Sequence, residues 1–170
     1  YKAHQSEKPI LDERERSPYK FMGTENYHYS GVDVVSIAGH MLQEVQDRPL
    51  RVLDIGTGDG ALLGNLLDTF GKRKVDPYGL TAFDYEPARR DVRRRITVGD
   101  AQHVADMYDW HRFDLVVSNF CLRYLADQLG TVEQMYALAR PNGLIYADSM
   151  GHMVSSAEAH LLPRALGRLG

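Results

Sequence analysis

The chain of 170 residues contains a single cysteine, Cys121, so no disulfide can form within it, and that scarcity fits a reducing, cytoplasmic compartment. No run approaches the roughly 20 apolar residues that a membrane span requires. No apolar stretch follows the first basic residues in the manner of a signal peptide. A basic excess is also missing: 20 Lys and Arg face 23 Asp and Glu, a net charge of −3. That balance argues against a dedicated nucleic-acid binder. None of the seven histidines forms an i,i+4 pair with nearby carboxylates, and His103 and His111 stand eight apart, so no metal is expected. Internal repeats and low-complexity segments are absent. What is present is ordinary, with 44% hydrophobic and 25% charged residues, enough for one globular domain.

Residues 1–30 are polar, carry the mixed-charge run Asp12-Glu13-Arg14-Glu15-Arg16, and end in Tyr27-His28-Tyr29. From Ser30, Val34, Ile37, Ala38, Met41 and Val45 fall at spacings of three and four, which predicts a helix. After Pro49 short apolar runs alternate with helical stretches. Strands are predicted at Leu50–Ile55, Tyr78–Phe83, Ile96–Val98, Phe113–Ser118 and Gly143–Ala147. Helices are predicted at Ala61–Phe70, from about Glu86, over Gln102–Tyr108, and from the capping-box pair Thr131 and Gln134 to Pro141. Strands alternating with helices imply βαβ units, hence an α/β fold with a parallel sheet. The domain is expected over residues 31–150, with 151–170 as a helical tail.

The most informative stretch is Val52-Leu53-Asp54-Ile55-Gly56-Thr57-Gly58-Asp59-Gly60, where a strand runs straight into a helix. Three glycines allow a tight turn and close approach of a ligand to the backbone. The amides at the helix start favour an anionic group. The loose dinucleotide fingerprint is also satisfied by Gly56-x-Gly58-x-x-Ala61, which leaves a nicotinamide-dependent oxidoreductase as one reading. Asp54 and Asp59 oppose it, because a pyrophosphate would add negative charge beside two carboxylates. A ligand with an amino group, a sulfonium and one carboxylate suits the loop better. Asp59 also reads as a helix cap, which leaves Asp54 unexplained.

The pattern Asp54-x-Gly56-x-Gly58-x-Gly60 resembles the first motif of the class I S-adenosylmethionine-dependent methyltransferases, and the resemblance continues in order over residues 50–149. It implies a Rossmann-like doubly wound sheet of strand order 3-2-1-4-5. Within Phe83-Asp84-Tyr85-Glu86-Pro87, Asp84 matches the family's ribose-binding acid, with Glu86 as rival and Tyr85 beside them. Gly99-Asp100-Ala101 resembles the adenine-binding element, although Asp100 reads equally as a turn cap. Phe113-Asp114-Leu115-Val116-Val117-Ser118-Asn119 resembles the fourth motif, placing Ser118 and Asn119 at the cofactor. Arg140-Pro141-Asn142-Gly143 resembles the turn before strand five, with Asn142 where a second glycine is commoner. The resemblance thus implies cofactor contacts from Asp54, Gly56, Thr57, Gly58, Gly60, Asp84, Tyr85, Asp100, Ala101, Ser118 and Asn119. S-adenosylmethionine would be the cofactor and S-adenosylhomocysteine the product.

The implied reaction is in-line attack of a substrate O, N or C nucleophile on the sulfonium methyl, driven largely by placement. The catalytic candidates are Tyr124 and His28, and the substrate candidates are Tyr27, Arg123 and Tyr124. Competing readings stand beside each one: packing for Tyr124, solvent exposure for Arg123, and anchoring of the first helix for the Tyr27-His28-Tyr29 cluster, which could otherwise close as a lid. Ser118-Asn119-Phe120 lacks the proline pair of amino-directed nucleic-acid methyltransferases, and Phe120-Cys121 lacks the proline–cysteine nucleophile of cytosine-C5 enzymes. Both absences point to a small-molecule substrate and away from nucleic acid, and make Cys121 a buried small hydrophobe; the lack of a long apolar run speaks against a membrane partner. Five of the 20 basic residues crowd into Arg89–Arg95, which reads as a solvated face or a contact for an acidic partner.

Family members usually add two strands after the fifth, yet only 22 residues follow Asp148. The expectation is a trimmed chain, with a homodimer covering the open edge or a naturally short variant as alternatives. A catalytically silent, cofactor-binding or partner-binding subunit is the second functional reading.

Overall fold

The computed structural model describes residues 33–84, 87, 89–119 and 121–148. The expectations for Tyr27, His28, Tyr85, Glu86 and the 151–170 tail lie outside those residues. In chain order the elements are α1 (Val34–Met41), β1 (Leu50–Ile55), α2 (Ala61–Phe70), β2 (Val75–Thr81), β3 (Ile96–Val98), β4 (Phe113–Asn119), α3 (Gln128–Leu138) and β5 (Ala139–Asp148). Three short 3-10 turns cover Arg93–Arg95, Ala101–Asp106 and Leu122–Tyr124. All four strand pairings are parallel, and the order is β3-β2-β1-β4-β5, as the resemblance implied.

Each face of the sheet buries its own apolar set. Leu53, Ile55, Leu80, Val104, Phe113, Val116, Met135 and Leu138 pack on one side. Val34, Ala38, Leu50, Val52, Leu62, Leu66, Val75, Leu115 and Val117 pack on the other, under α1 and α2. Strands covered on both faces need continuous apolar runs, which is why β1 and β4 were legible. Each fully buried Leu or Val contributes about 1.5–3 kcal/mol.

Several predicted boundaries move. The helix before β1 starts at Val34 because Asp33 caps it, accepting from the amides of Val35 and Ser36 at 3.0 and 3.2 Å. β2 spans Val75–Thr81 instead of Tyr78–Phe83, since Asp76 and Pro77 pair in register with Arg51 and Val52. The predicted helix from Glu86 gives way, among its described residues, to a turn and the 3-10 segment Arg93–Arg95, and the one over Gln102–Tyr108 is the 3-10 turn Ala101–Asp106. Asp127, not Thr131, caps α3, accepting from the Gly130 amide at 2.8 Å. Thr131 instead donates its hydroxyl to the Asp127 carbonyl, and Gln134 reaches the Gln102 carbonyl and Ala105 amide.

The fifth strand begins at Ala139, not Gly143. Its register against β4 jumps from Ala139 opposite Phe113 to Leu144 opposite Leu115. The extra residues hold Pro141 and Asn142, the latter at φ 65°, the turn geometry that asparagine tolerates.

At the N-terminal end of the sheet, two aspartates gather the chain. Asp114 is 5% exposed and accepts two hydrogen bonds from Arg48, one from the Arg51 amide and one from Arg140. Burial alone would raise its carboxyl, but those donors and charges carry it below the usual value. Asp76 takes Arg95 at 2.6 Å and the Tyr78 hydroxyl at 2.8 Å, and Arg112 donates to that hydroxyl. Among the described residues, no helix is long and apolar enough to cross a membrane.

Candidate functional site

In an open parallel sheet, ligands bind beyond the carboxyl ends of the strands, where the strand order reverses. Here that point lies between β1 and β4. Asp54 pairs in register with Gly79 on one side and Val117 on the other, so the chain ends around 54–60, 81–84 and 118–124 meet at one edge.

The glycine loop follows directly from β1. Gly56, Gly58 and Gly60 take φ of 85°, 58° and 81°, the left-handed region that side chains disfavour. The amides of Gly56 and Thr57 both donate to the Leu80 carbonyl, at 2.8 and 2.9 Å. The Gly60 amide donates to Thr57 O, and the Ala61 amide to the Asp59 carboxylate at 3.1 Å. Asp59 therefore makes the expected capping contact, one residue ahead of Gly60, which occupies the cap position itself. The Gly60 and Ala61 amides, at the helix start where an anion was expected, already have partners.

The loop offers carboxylates instead. Asp54 and Asp59 are each 5% exposed. Burial pushes the Asp54 carboxyl up to about 7, opposed only by the Thr57 hydroxyl. Among the described residues no cation lies beside Asp54, and a buried acid in that state favours a positively charged visitor. Among the described residues, the side-chain oxygens of Thr57, Ser118 and Asn119 are buried without a partner of regular hydrogen-bond geometry, although Thr57 lies near Asp54 and Ser118 near Cys121. Buried polar atoms left in this way are points where a bound molecule can complete the bonding.

Two contacts here were not anticipated. Gly56 lies flat against Cys121: a Cβ at residue 56 would stand 2.4 Å from Cys121 Cβ. Burial, then the charge of Asp54, drives the Cys121 thiol up to about 11, with Asp100 adding and Ser118 opposing. Cys121 packs against the core cluster, as a small hydrophobe would, but it is only partly buried and also borders the glycine loop. Likewise a Cβ at Gly79 would strike Thr57 Cγ2 at 2.5 Å, so the loop packs directly on β2. A glycine inside a strand is the sequence signal for such close approach. Nothing local to Cys121 marks it.

The remaining candidates are distributed around the same edge. Asp84 follows β2, is well exposed, and stands 3.9 Å from Arg93. Asp100 caps the turn after β3, accepting from the Gln102 amide at 2.9 Å, while Ala101 is buried behind it. Ser118 is fully buried at the end of β4 and Asn119 is half-buried. Beyond them, the Arg123 guanidinium lies 4.6 Å above the Tyr124 ring and donates to its hydroxyl, with both side chains exposed. Tyr124 is therefore held by a cation and not packed in the core. Among the described residues, no group of three or more His, Cys, Asp or Glu is placed to hold a metal ion.

Comparison with known proteins meets this geometry. Residues 22–165 match the family model described as a methyltransferase domain. The malonyl-[acyl-carrier protein] O-methyltransferase of Halalkalibacterium halodurans is 27% identical over 123 residues, covering 69% of this chain and 45% of that protein. The chain thus spans about half the length of the curated relatives it matches. A Methanococcus maripaludis structure described as an S-adenosyl-L-methionine-dependent methyltransferase superposes with a TM-score of 0.64 at 15% identity, over 96% of this chain and 87% of that one. The Burkholderia thailandensis 1,6-didemethyltoxoflavin-N1-methyltransferase, solved with S-adenosylhomocysteine, gives 0.50 at 18% identity, over 85% and 69%. Motifs, strand order and family match coincide: the chain belongs to the methyltransferase-domain family, the class I S-adenosylmethionine-dependent type.

Proposed function

We propose that the chain binds S-adenosylmethionine at the carboxyl ends of β1, β2 and β4 and transfers its methyl group to a small-molecule nucleophile. The observation that carries this reading is the pair of buried acids, Asp54 and Asp59, flanking a left-handed glycine turn. The cofactor, when bound, supplies an electrophilic methyl on a positively charged sulfur, together with an amino group. Asp54 and Asp59 favour those charges, and Gly56, Thr57, Gly58 and Gly60 let the ligand lie against the backbone. Asp84, with Tyr85 beside it, would hold the ribose hydroxyls, one carboxylate accepting from both. Asp100 and Ala101 would meet the adenine, and the unpartnered oxygens of Ser118 and Asn119 would complete the floor.

A carboxylate is the acceptor that suits the site best. It is already ionised near neutrality, so its methylation requires placement but no general base. Arg123 and Tyr124 stand exposed beyond β4, where a guanidinium can grip a carboxylate in two places. The name of the Halalkalibacterium relative, a malonyl-[acyl-carrier protein] O-methyltransferase, supports methyl transfer to an oxygen.

Calorimetric titration tests the cofactor. S-adenosylmethionine and S-adenosylhomocysteine should each bind once per chain, and NAD should give no heat. Binding of NAD with silence from both adenosyl ligands would sink the proposal. Labelled methyl transfer across small carboxylic acids, amines and phenols then tests the acceptor, with ester formation expected.

A further inference from the structure

The N-terminal end of the sheet, opposite the candidate site, carries more fixed positive charge than its acids neutralise. Asp76 and Asp114 between them engage Arg48, Arg51, Arg95 and Arg140, and Tyr78 ties Arg112 to Asp76. Two carboxylates thereby hold five guanidiniums in place. Lys72, Arg73 and Lys74 project from the turn entering β2, and Arg94 precedes β3; all four are exposed and make no ion pair among the described residues. Exposed Glu44, Asp47 and Asp109 offset part of this charge, and Asp109 leans on Arg112.

The same end also presents aromatic rings. Trp110 is 68% exposed and Tyr136 is 48% exposed. Both are anchored there by backbone: the His111 amide donates to Ala137 O and the Arg112 amide to Leu138 O, fixing the loop to the end of α3. β4 starts level with β1, and β2 enters beside Leu50, so Trp110 and Lys74 lie beyond the same strand ends. An exposed tryptophan at the same sheet end as exposed lysines and arginines is the combination that interfacial anchors use. The ring settles at headgroup depth, and the cations meet anionic lipid.

We propose that this end of the sheet docks on an anionic bilayer surface, leaving the strand carboxyl ends, roughly 20 Å away across β1, turned toward water. Lying on a membrane is distinct from crossing one, so the lack of a spanning segment does not bear on it. A membrane fits better than an acidic protein because the charge is spread along a row of strand ends, and exposed aromatic groups share that end.

Trp110 is the sole tryptophan, so its emission reports on this face alone. The full chain would be mixed with phosphatidylcholine vesicles, with and without about 30 mol% phosphatidylserine. It should float at least tenfold more with the anionic vesicles, its emission should shift to the blue, and added salt should release it. The triple substitution K72E/R73E/K74E should reduce flotation about tenfold with unchanged far-ultraviolet circular dichroism. Equal flotation on both vesicles, flotation with unmoved Trp110 emission, or retention on heparin without flotation would each overturn the proposal.

Discussion

Arg48 grips Asp114 with both guanidinium nitrogens, at 2.6 and 2.7 Å, joining the entry to β1 with the start of β4 across 66 positions of sequence. The two partners are unequal: 41% of the Arg48 side chain is exposed, against 7% for Asp114. The buried partner should matter more. Asp114→Ala strands the Arg51 amide and leaves Arg48 and Arg140 without a counter-ion, and should cost about 3 kcal/mol. Arg48→Ala leaves Asp114 with two of its donors and should cost about 1 kcal/mol. Urea denaturation of both variants checks the difference; equal costs would show that the clamp is not what fixes this edge. Because the Asp114 carboxyl is depressed, its contribution is present above the unfolded value and is lost as pH falls through the folded one.

Gly56 and Cys121 form the second long-range contact that can be tested. An alanine at 56 must adopt φ 85° and also intrude to 2.4 Å on Cys121 Cβ and 2.8 Å on its sulfur. Gly56→Ala should destabilise the domain by about 2 kcal/mol or more through strain and overpacking together. Cys121→Ala keeps the offending Cβ and should not rescue it. Cys121→Gly removes that carbon and should restore part of the loss. Thermal melts of the two double variants separate the steric contribution from the backbone strain.

How far the sequence reached follows from which interactions are local. β1 and β3 were read at their observed limits, and β4 within one residue, because the first and last are bounded apolar runs and turn residues flank each of them. β2 was entered three residues late, since Asp76 and Pro77 look like a turn until Arg95, 19 positions away, satisfies the carboxylate. The cap of α3 was misread because Thr131 and Gln134 mimic a capping box, while both side chains serve contacts outside it. At the site the glycines and Asp54 announced themselves by spacing. Cys121 did not, because its role depends on how closely the chain after β4 approaches the turn at Gly56, a tertiary distance that no spacing records.

Asp84 offers a prediction on the cofactor alone. It is exposed and, among the described residues, makes only a long ion pair with Arg93, so its removal should leave folding unchanged within about 0.5 kcal/mol. Asp84→Ala should nonetheless weaken S-adenosylhomocysteine at least tenfold, as two hydrogen bonds to a charged acceptor are lost. Arg93→Ala should leave that affinity within about threefold. An unchanged affinity in Asp84→Ala would hand the ribose to Glu86, and the Glu86→Ala variant would then carry the loss.

Asp54 ties stability, pH and ligand charge together. Its carboxyl titrates near 7 in the folded protein, against an ordinary value of 3.8. Between those values the folded chain retains a proton that the unfolded chain has released, so this group makes stability fall as pH rises from about 4 to 7. A shift of this size corresponds to a penalty on the order of 4 kcal/mol above pH 7. Asp54→Asn removes the penalty, so the unligated variant should melt higher than the parent at pH 8 and about level with it near pH 4. The ligand reverses the preference. S-adenosylmethionine brings positive charge to the site and favours the ionised carboxylate, so binding at pH 6 should release close to one proton, and binding at pH 8 almost none. Calorimetry in buffers of different ionisation enthalpy counts those protons directly. Asp54→Asn should abolish the release while weakening affinity, which makes the acid a cost to the empty fold that is offset only when the site is filled. A variant that gained stability and kept its affinity would remove Asp54 from the ligand's surroundings altogether.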